Sequence, residues 1–124
     1  MSRTNIALLA AALIALSATA VAQPAPARRA ADGTLTSAAG MTLYVFDRDA
    51  GGKSACNGPC TVNWPPVLVV GGGTASGDWS VVVRNDGGKQ WAFKGKPLYA
   101  CSKDIKPGDK QGDGINGLWH VAKE

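Results

Sequence analysis

Residues 40–49 read GMTLYVFDRD, and residues 95–104 read GKPLYACSKD. Set side by side without a gap, their Gly, Leu, Tyr and final Asp coincide. The same displacement of 55 residues carries Trp64 onto Trp119. Four identities in ten positions and a matching tryptophan are hard to ascribe to chance. The chain is therefore read as two copies of one unit, over about residues 40–66 and 95–121.

Each copy has a physical logic. Alternation along a strand puts Tyr44 and Phe46 on one face and Leu43 and Val45 on the other. Asp49 and Asp104 fall where that strand gives way to a loop, where a carboxylate can accept backbone N–H groups and hold the turn. Trp64 and Trp119 then close each loop back onto the domain by burying a large apolar surface. Two such units packed together predict a pseudo-two-fold β domain with its aromatics in the core.

The rest of the chain fits that class. Strand candidates are Thr34-Leu35-Thr36, Met41 to Phe46, a short buried run Val67 to Val70, Trp79 to Arg84, and Lys89 to Phe93. Asn85-Asp86-Gly87-Gly88 joins the last two as a hairpin, because these residues tolerate the positive φ of tight turns. Helical periodicity is absent, and sixteen glycines with seven prolines predict long loops. The expected fold is mainly β, one small domain of two pseudo-repeats over residues 33–124.

Residues 1–22 read as a signal peptide. Arg3 precedes the apolar run Ile6 to Leu16, which is too short to span a bilayer, and Ala20-Val21-Ala22 offers small residues for cleavage before Gln23. Residues 23–32, Pro/Ala-rich and basic, are expected to form a flexible leader. The expected location is periplasmic or secreted, with no stable membrane anchor after cleavage. The formal charge of the whole chain is +4, and cleavage removes only Arg3. That excess is too small to argue nucleic-acid binding. Lys94, Lys96, Lys103, Lys106 and Lys110 crowd one segment, interleaved with Asp104, Asp109 and Asp113. This reads as a mixed-charge surface, with a weak site for anionic envelope polymers as the alternative. A monomer with an unidentified envelope or extracellular partner is expected.

Taken together, the motifs resemble a bacterial family of secreted repeats and predicted lipoproteins with a Tyr-x-(Phe/Trp/Tyr)-x-x-Asp motif. The residues that carry the resemblance are Tyr44, Phe46 and Asp49, Cys56-Asn57-Gly58-Pro59-Cys60, and Trp64-Pro65-Pro66. It continues through Gln90-Trp91, Leu98-Tyr99, Asp104, Pro107-Gly108-Asp109 and Gly112-Asp113-Gly114 to Trp119-His120-Val121. The resemblance implies no assigned activity. The second copy departs from it, with Cys101 where an aromatic is asked for.

In an exported chain, Cys56 and Cys60 are expected to form a disulfide, worth about 2 kcal/mol for so short a loop. The second copy carries Gln111 and Ile115 at the matching positions, so the pair is read as a staple. The alternative is copper, held by Cys56, Cys60 and His120, since thiolates are soft donors. Cys101 is the odd cysteine, read as a small buried hydrophobe, with exchange with Cys56 or Cys60, or pairing between chains, as the alternatives. The loop from Asp104 to Asp113 lacks an EF-hand pattern, so its aspartates are read as turn formers. No nucleophile elbow, metal-protease motif or phosphate loop is present. An exported binding or structural module is expected, without a catalytic site or required cofactor.

Overall fold

The computed structural model describes residues 27–71 and 75–124. The signal segment 1–22 and the first leader residues lie outside the described residues. The elements are β1 (Ala27–Arg29), β2 (Leu35–Ser37), β3 (Tyr44–Phe46), α1 (Cys60–Asn63), β4 (Trp79–Val83), β5 (Lys89–Phe93), β6 (Lys96–Pro97) and β7 (Trp119–Val121). A 3-10 turn, Ile115–Gly117, precedes β7. The domain is mainly β, as expected.

Its centre is a ladder that joins the two copies. Tyr44 and Tyr99 exchange backbone bonds, N to O, of 2.8 and 2.9 Å. On the outer side of each lies a segment of the other copy. β3 pairs antiparallel with β7, placing Phe46 opposite Trp119. In the matching position, Tyr99 bridges Pro66.

The bonds repeat across the pseudo-two-fold axis. Asp47 N donates to Leu118 O and Ser102 N to Asn63 O, both at 2.9 Å. Ala122 N reaches Leu43 O at 2.8 Å, and Val67 N reaches Leu98 O at 2.9 Å. The chain leaving each tryptophan therefore joins the sheet of the opposite copy. The sequence reading has each loop close back onto the domain without naming the copy, and the backbone bonds show that it is the opposite one. The 65–67 segment is a bridge rather than a full strand because Pro65 and Pro66 lack the N–H groups that His120 and Val121 carry.

The repeat also extends further than 40–66 and 95–121. β1 pairs with β2, and β4 pairs with β5, so each copy begins with a hairpin. Leu35 N donates to Ala122 O, and Trp91 N to Val67 O, both at 2.9 Å. This equates Leu35 with Trp91, 56 residues apart, so the register shifts by one in the turn that follows. The leader is shorter than expected, since Ala27–Arg29 gain ladder partners in β2. The β4–β5 turn follows the sequence reading: Gly87 takes φ +84°, and Asp86 Oδ1 accepts Gly88 N at 2.8 Å.

Two apolar clusters occupy the two faces of the ladder. Leu43 and Leu98 pack with Leu35, Trp91, Phe93 and Ala122, with Val45 against them. Tyr44, Tyr99, Trp64, Trp119, Cys56 and Cys101 form the other cluster, with Phe46 against it. The alternation read from LYVF thus separates two cores. The run 67–70 departs from expectation, because Leu68 is 49% and Val70 84% exposed. Running along β5 through the Leu68–Gln90 bridge, it turns one face inward and the other to solvent.

Trp64 and Trp119 stack face to face across the axis, with centroids 3.8 Å apart and planes 2° apart. Each meets the tyrosine of its own copy edge-on, Tyr44–Trp64 at 5.3 Å and Tyr99–Trp119 at 5.1 Å. Such pairs each contribute about 0.5–1.5 kcal/mol beyond their area. Gly112 lets the stack close: a Cβ there would lie 2.5 Å from Trp64 Cη2 and 3.0 Å from Cys101 Sγ. Gly112→Ala is expected to destabilise the domain by about 1–3 kcal/mol in urea unfolding, the usual cost of overpacking. An unchanged midpoint would contradict this packing.

Candidate functional site

The two motif aspartates are tied across the axis. Tyr44 Oη donates to Asp104 Oδ2 at 2.7 Å, and Tyr99 Oη donates to Asp49 Oδ2 at 2.9 Å. The second oxygens hold the loops of their own copies. Asp49 Oδ1 accepts Ala55 N at 2.7 Å, and Asp104 Oδ1 accepts Gln111 N at 2.8 Å. Gly112 N adds a bond of 3.3 Å to Tyr44 Oη. Each carboxylate is the turn holder read from the sequence and also a clasp on the other copy.

These groups are tuned by burial. It raises the Asp49 carboxyl above its ordinary value, outweighing the hydrogen bonds from Ala55 and Tyr99 and the charge of Arg84. Burial is also the leading cause of the raised phenol values of Tyr44 and Tyr99. With both tyrosines holding their protons tightly, the O–H donors of the clasp persist through neutral pH. Asp49 and Asp104 each face a tyrosine of the other copy, an arrangement suited to holding structure.

Cys56 and Cys60 are disulfide-bonded, with Cα atoms 5.4 Å apart. The loop is anchored by Arg84, only 4% exposed, whose Nη2 donates to Cys56 O at 2.8 Å and to Asn57 Oδ1 at 3.2 Å. Arg84 Nη1 donates to Gln90 Oε1 at 2.7 Å, and Gln90 Nε2 to Leu98 O at 2.6 Å. Ser54 Oγ also bonds Gln90 Oε1. Arg84 enters the sequence reading only as the end of a strand candidate and Gln90 only as part of the Gln90-Trp91 element of the resemblance, neither with a role. Their only signal was a polar residue closing the valine run of β4 and another inside β5.

His120 is not brought to the cysteines. Its Nε2 lies 2.7 Å from Asp47 Oδ2, with both side chains about half exposed. Among the described residues, no three His, Cys, Asp or Glu side chains converge as a metal cluster. The copper set Cys56, Cys60 and His120 is thus not assembled here, and a disulfide offers no thiolate. Cys101 is free and buried. Asp109 Oδ2 accepts Ile105 N and Lys106 N at 3.0 and 3.1 Å, and Asp113 Oδ1 accepts Val121 N at 3.1 Å. Asp109 is the turn former read from the sequence, whereas Asp113 reaches β7 eight residues on.

Two surface cavities flank this framework. The first, of about 280 Å³, lies between β3, β7 and the β5–β6 turn. Its apolar wall is Val45, Phe93, Val121 and Ala122, and Lys94, Lys96, Lys123, His120 and Asp47 line the remainder. Of the lysine run noted in the sequence, Lys94 and Lys96 reach this cavity. Lys110 is instead paired with Asp32 at 2.8 Å, and Lys123, far away in sequence, joins the group. The second cavity lies against Trp64 and Cys101.

A family described as a secreted repeat of unknown function matches residues 27–68 and 80–123. Those two blocks coincide with the structural repeats, each running from its first hairpin to the exchanged segment. The chain belongs to this family of secreted repeats. No curated protein and no solved structure matches it significantly. No helix among the described residues is long and apolar enough to cross a membrane.

The raised Asp49 value fixes a sign. Between its ordinary 3.8 and the raised folded value, the folded chain binds a proton that the unfolded chain does not. The Asp49 contribution is therefore fully present below the unfolded value and is lost as pH rises through the folded one. The cost of Asp49→Asn, from paired urea unfolding, is expected to be larger at about pH 4 than at about pH 7. A cost that grows toward neutral pH would contradict it.

Proposed function

We propose that the chain is an exported binding module of the cell envelope, whose ligand carries an anionic group on an apolar body. Membership of a secreted-repeat family supports export, with removal of residues 1–22 and release of the remaining chain into the periplasm or beyond the cell. The observation that carries the ligand class is the cavity between β3, β7 and the β5–β6 turn. Three lysines line it, its one carboxylate is engaged by His120, and its wall is apolar. A small apolar surface beside concentrated positive charge favours an acidic unit with a hydrocarbon or sugar body over a bare ion. The framework around it is held by the disulfide, the clasped tyrosines and the tryptophan stack, so the cavity walls are largely pre-formed.

The test is titration of the native chain with poly(glycerol phosphate), followed by calorimetry at two salt concentrations. Binding should weaken as salt rises, and the triple variant K94A/K96A/K123A should lose about tenfold in affinity, at the modest worth of exposed charge pairs. Undiminished binding by the triple variant would contradict the assignment of this cavity.

A further inference from the structure

The duplication supplies an internal control for the basic cavity. Across the pseudo-two-fold axis, Asp47 falls on Ser102, Lys96 on Met41, His120 on Pro65 and Lys123 on Leu68. Lys94 falls within the turn Ala38-Ala39-Gly40. None of these twin positions ionises. The shared framework therefore closes without the charged residues of this cavity, and their presence in one copy calls for a reason other than folding.

One of those residues is held under backbone strain. Ala92 pairs with Pro97 and Thr36 with Thr42, which makes the two hairpins counterparts. The tip is Lys94-Gly95 in one and Ala38-Ala39-Gly40, a residue longer, in the other. In the longer tip only Gly40 takes a positive φ, +83°. In the shorter one both residues take it, Gly95 at +78° and Lys94 at +49°. Two-residue turns of this kind ordinarily carry Asn, Asp or Gly first, because a longer side chain crowds the backbone at positive φ. Among the described residues, the other non-glycine at positive φ is Asn116, a residue type suited to it. The Lys94 conformation is fixed from both sides: Phe93 pairs with Lys96, and Lys94 N donates to Asp78 O at 2.7 Å.

The side chain is placed as well. Lys94 Nζ stands 5.4 Å from the centroid of the Phe93 ring, and Phe93 belongs to the apolar wall of the cavity. An aromatic face attracts a cation without neutralising it. No carboxylate pairs with Lys94 among the described residues. Its charge is thus kept beside the apolar wall and left available.

We propose that Lys94 is the anchor of the basic cavity: its ammonium binds the anionic group of the ligand beside Phe93, and the ligand's apolar body lies along Val45 and Val121. The shortened turn stores strain to keep the lysine there. Lys96 and Lys123 have ordinary φ and add charge without that placement. The role rests on the basic cavity being the binding site proposed above.

The test compares Lys94→Asn, Lys94→Arg and Lys96→Asn in the native chain, by calorimetric titration with poly(glycerol phosphate) and by thermal unfolding without it. Asn tolerates positive φ and carries no charge. Lys94→Asn should therefore raise the melting temperature by about 2–4 °C while weakening binding about threefold to fivefold. Lys94→Arg keeps the charge at the strained position, so it should bind within about twofold of wild type and melt at the wild-type temperature. Lys96→Asn should weaken binding by less than about twofold, with no gain in melting temperature. A residue that only supports the fold does not move affinity and stability in opposite directions. Wild-type affinity in Lys94→Asn overturns the proposal, and so does a melting temperature that stays or falls. Lost binding in a folded Lys94→Arg chain overturns it as well, because charge is then not what the position supplies. If K94A/K96A/K123A still loses binding in those cases, the cavity remains the site and only the anchor is wrong. Absence of saturable binding by the wild-type chain removes both.

Discussion

The crossed pair of tyrosine–aspartate bonds is the constraint on which the rest of the domain depends. Each carboxylate has two oxygens, one committed to its own loop and one to the tyrosine of the other copy. Neither copy can complete its own loop and clasp alone. The same crossing governs the backbone, since the segment leaving each tryptophan is bonded into the opposite sheet. A chain of this size has a limited core, and interlocking two small units is a way to make both cores serve one cooperative structure. The tryptophan stack then lies on the axis because the crossed segments carry the two indoles there.

Much of this was legible in the sequence, for reasons tied to particular residues. The LYVF alternation was enough to sort Leu43 and Val45 from Tyr44 and Phe46, and the structure places these pairs in separate cores. The Asn85–Gly88 hairpin followed from turn chemistry alone. The early hairpins of the repeat were hidden because a one-residue change in turn length breaks the register between Leu35 and Trp91. Nothing in the spacing told which tyrosine each aspartate would meet, because partner choice is set by how the copies cross. The roles of Arg84 and Gln90 were equally hidden, because the burial of each depends on the loop they hold, although Gln90 stood within the Gln90-Trp91 element of the resemblance.

The two copies have kept the shared framework and diverged around it. One loop is closed by Cys56–Cys60 and held by buried Arg84, and its counterpart is held by Asp104 and by Lys110 paired with Asp32. The hydrogen bonds of Lys110 and Thr34 hold the Asp32 carboxyl well below its usual range, as expected for an exposed turn group with a cationic partner. Divergence is concentrated away from the axis, at Phe46 against Cys101 and at the lysines near the β5–β6 turn. Those are the places where the domain presents cavities.

The crossing itself is tested most directly by double-mutant cycles built from Tyr44→Phe with Asp104→Asn, and from Tyr44→Phe with Asp49→Asn, measured by urea unfolding. The account predicts a coupling of about 1–3 kcal/mol between Tyr44 and Asp104, which belong to different copies, and a coupling near zero between Tyr44 and Asp49, which belong to the same one. Strong coupling within a copy and none across the axis would contradict it.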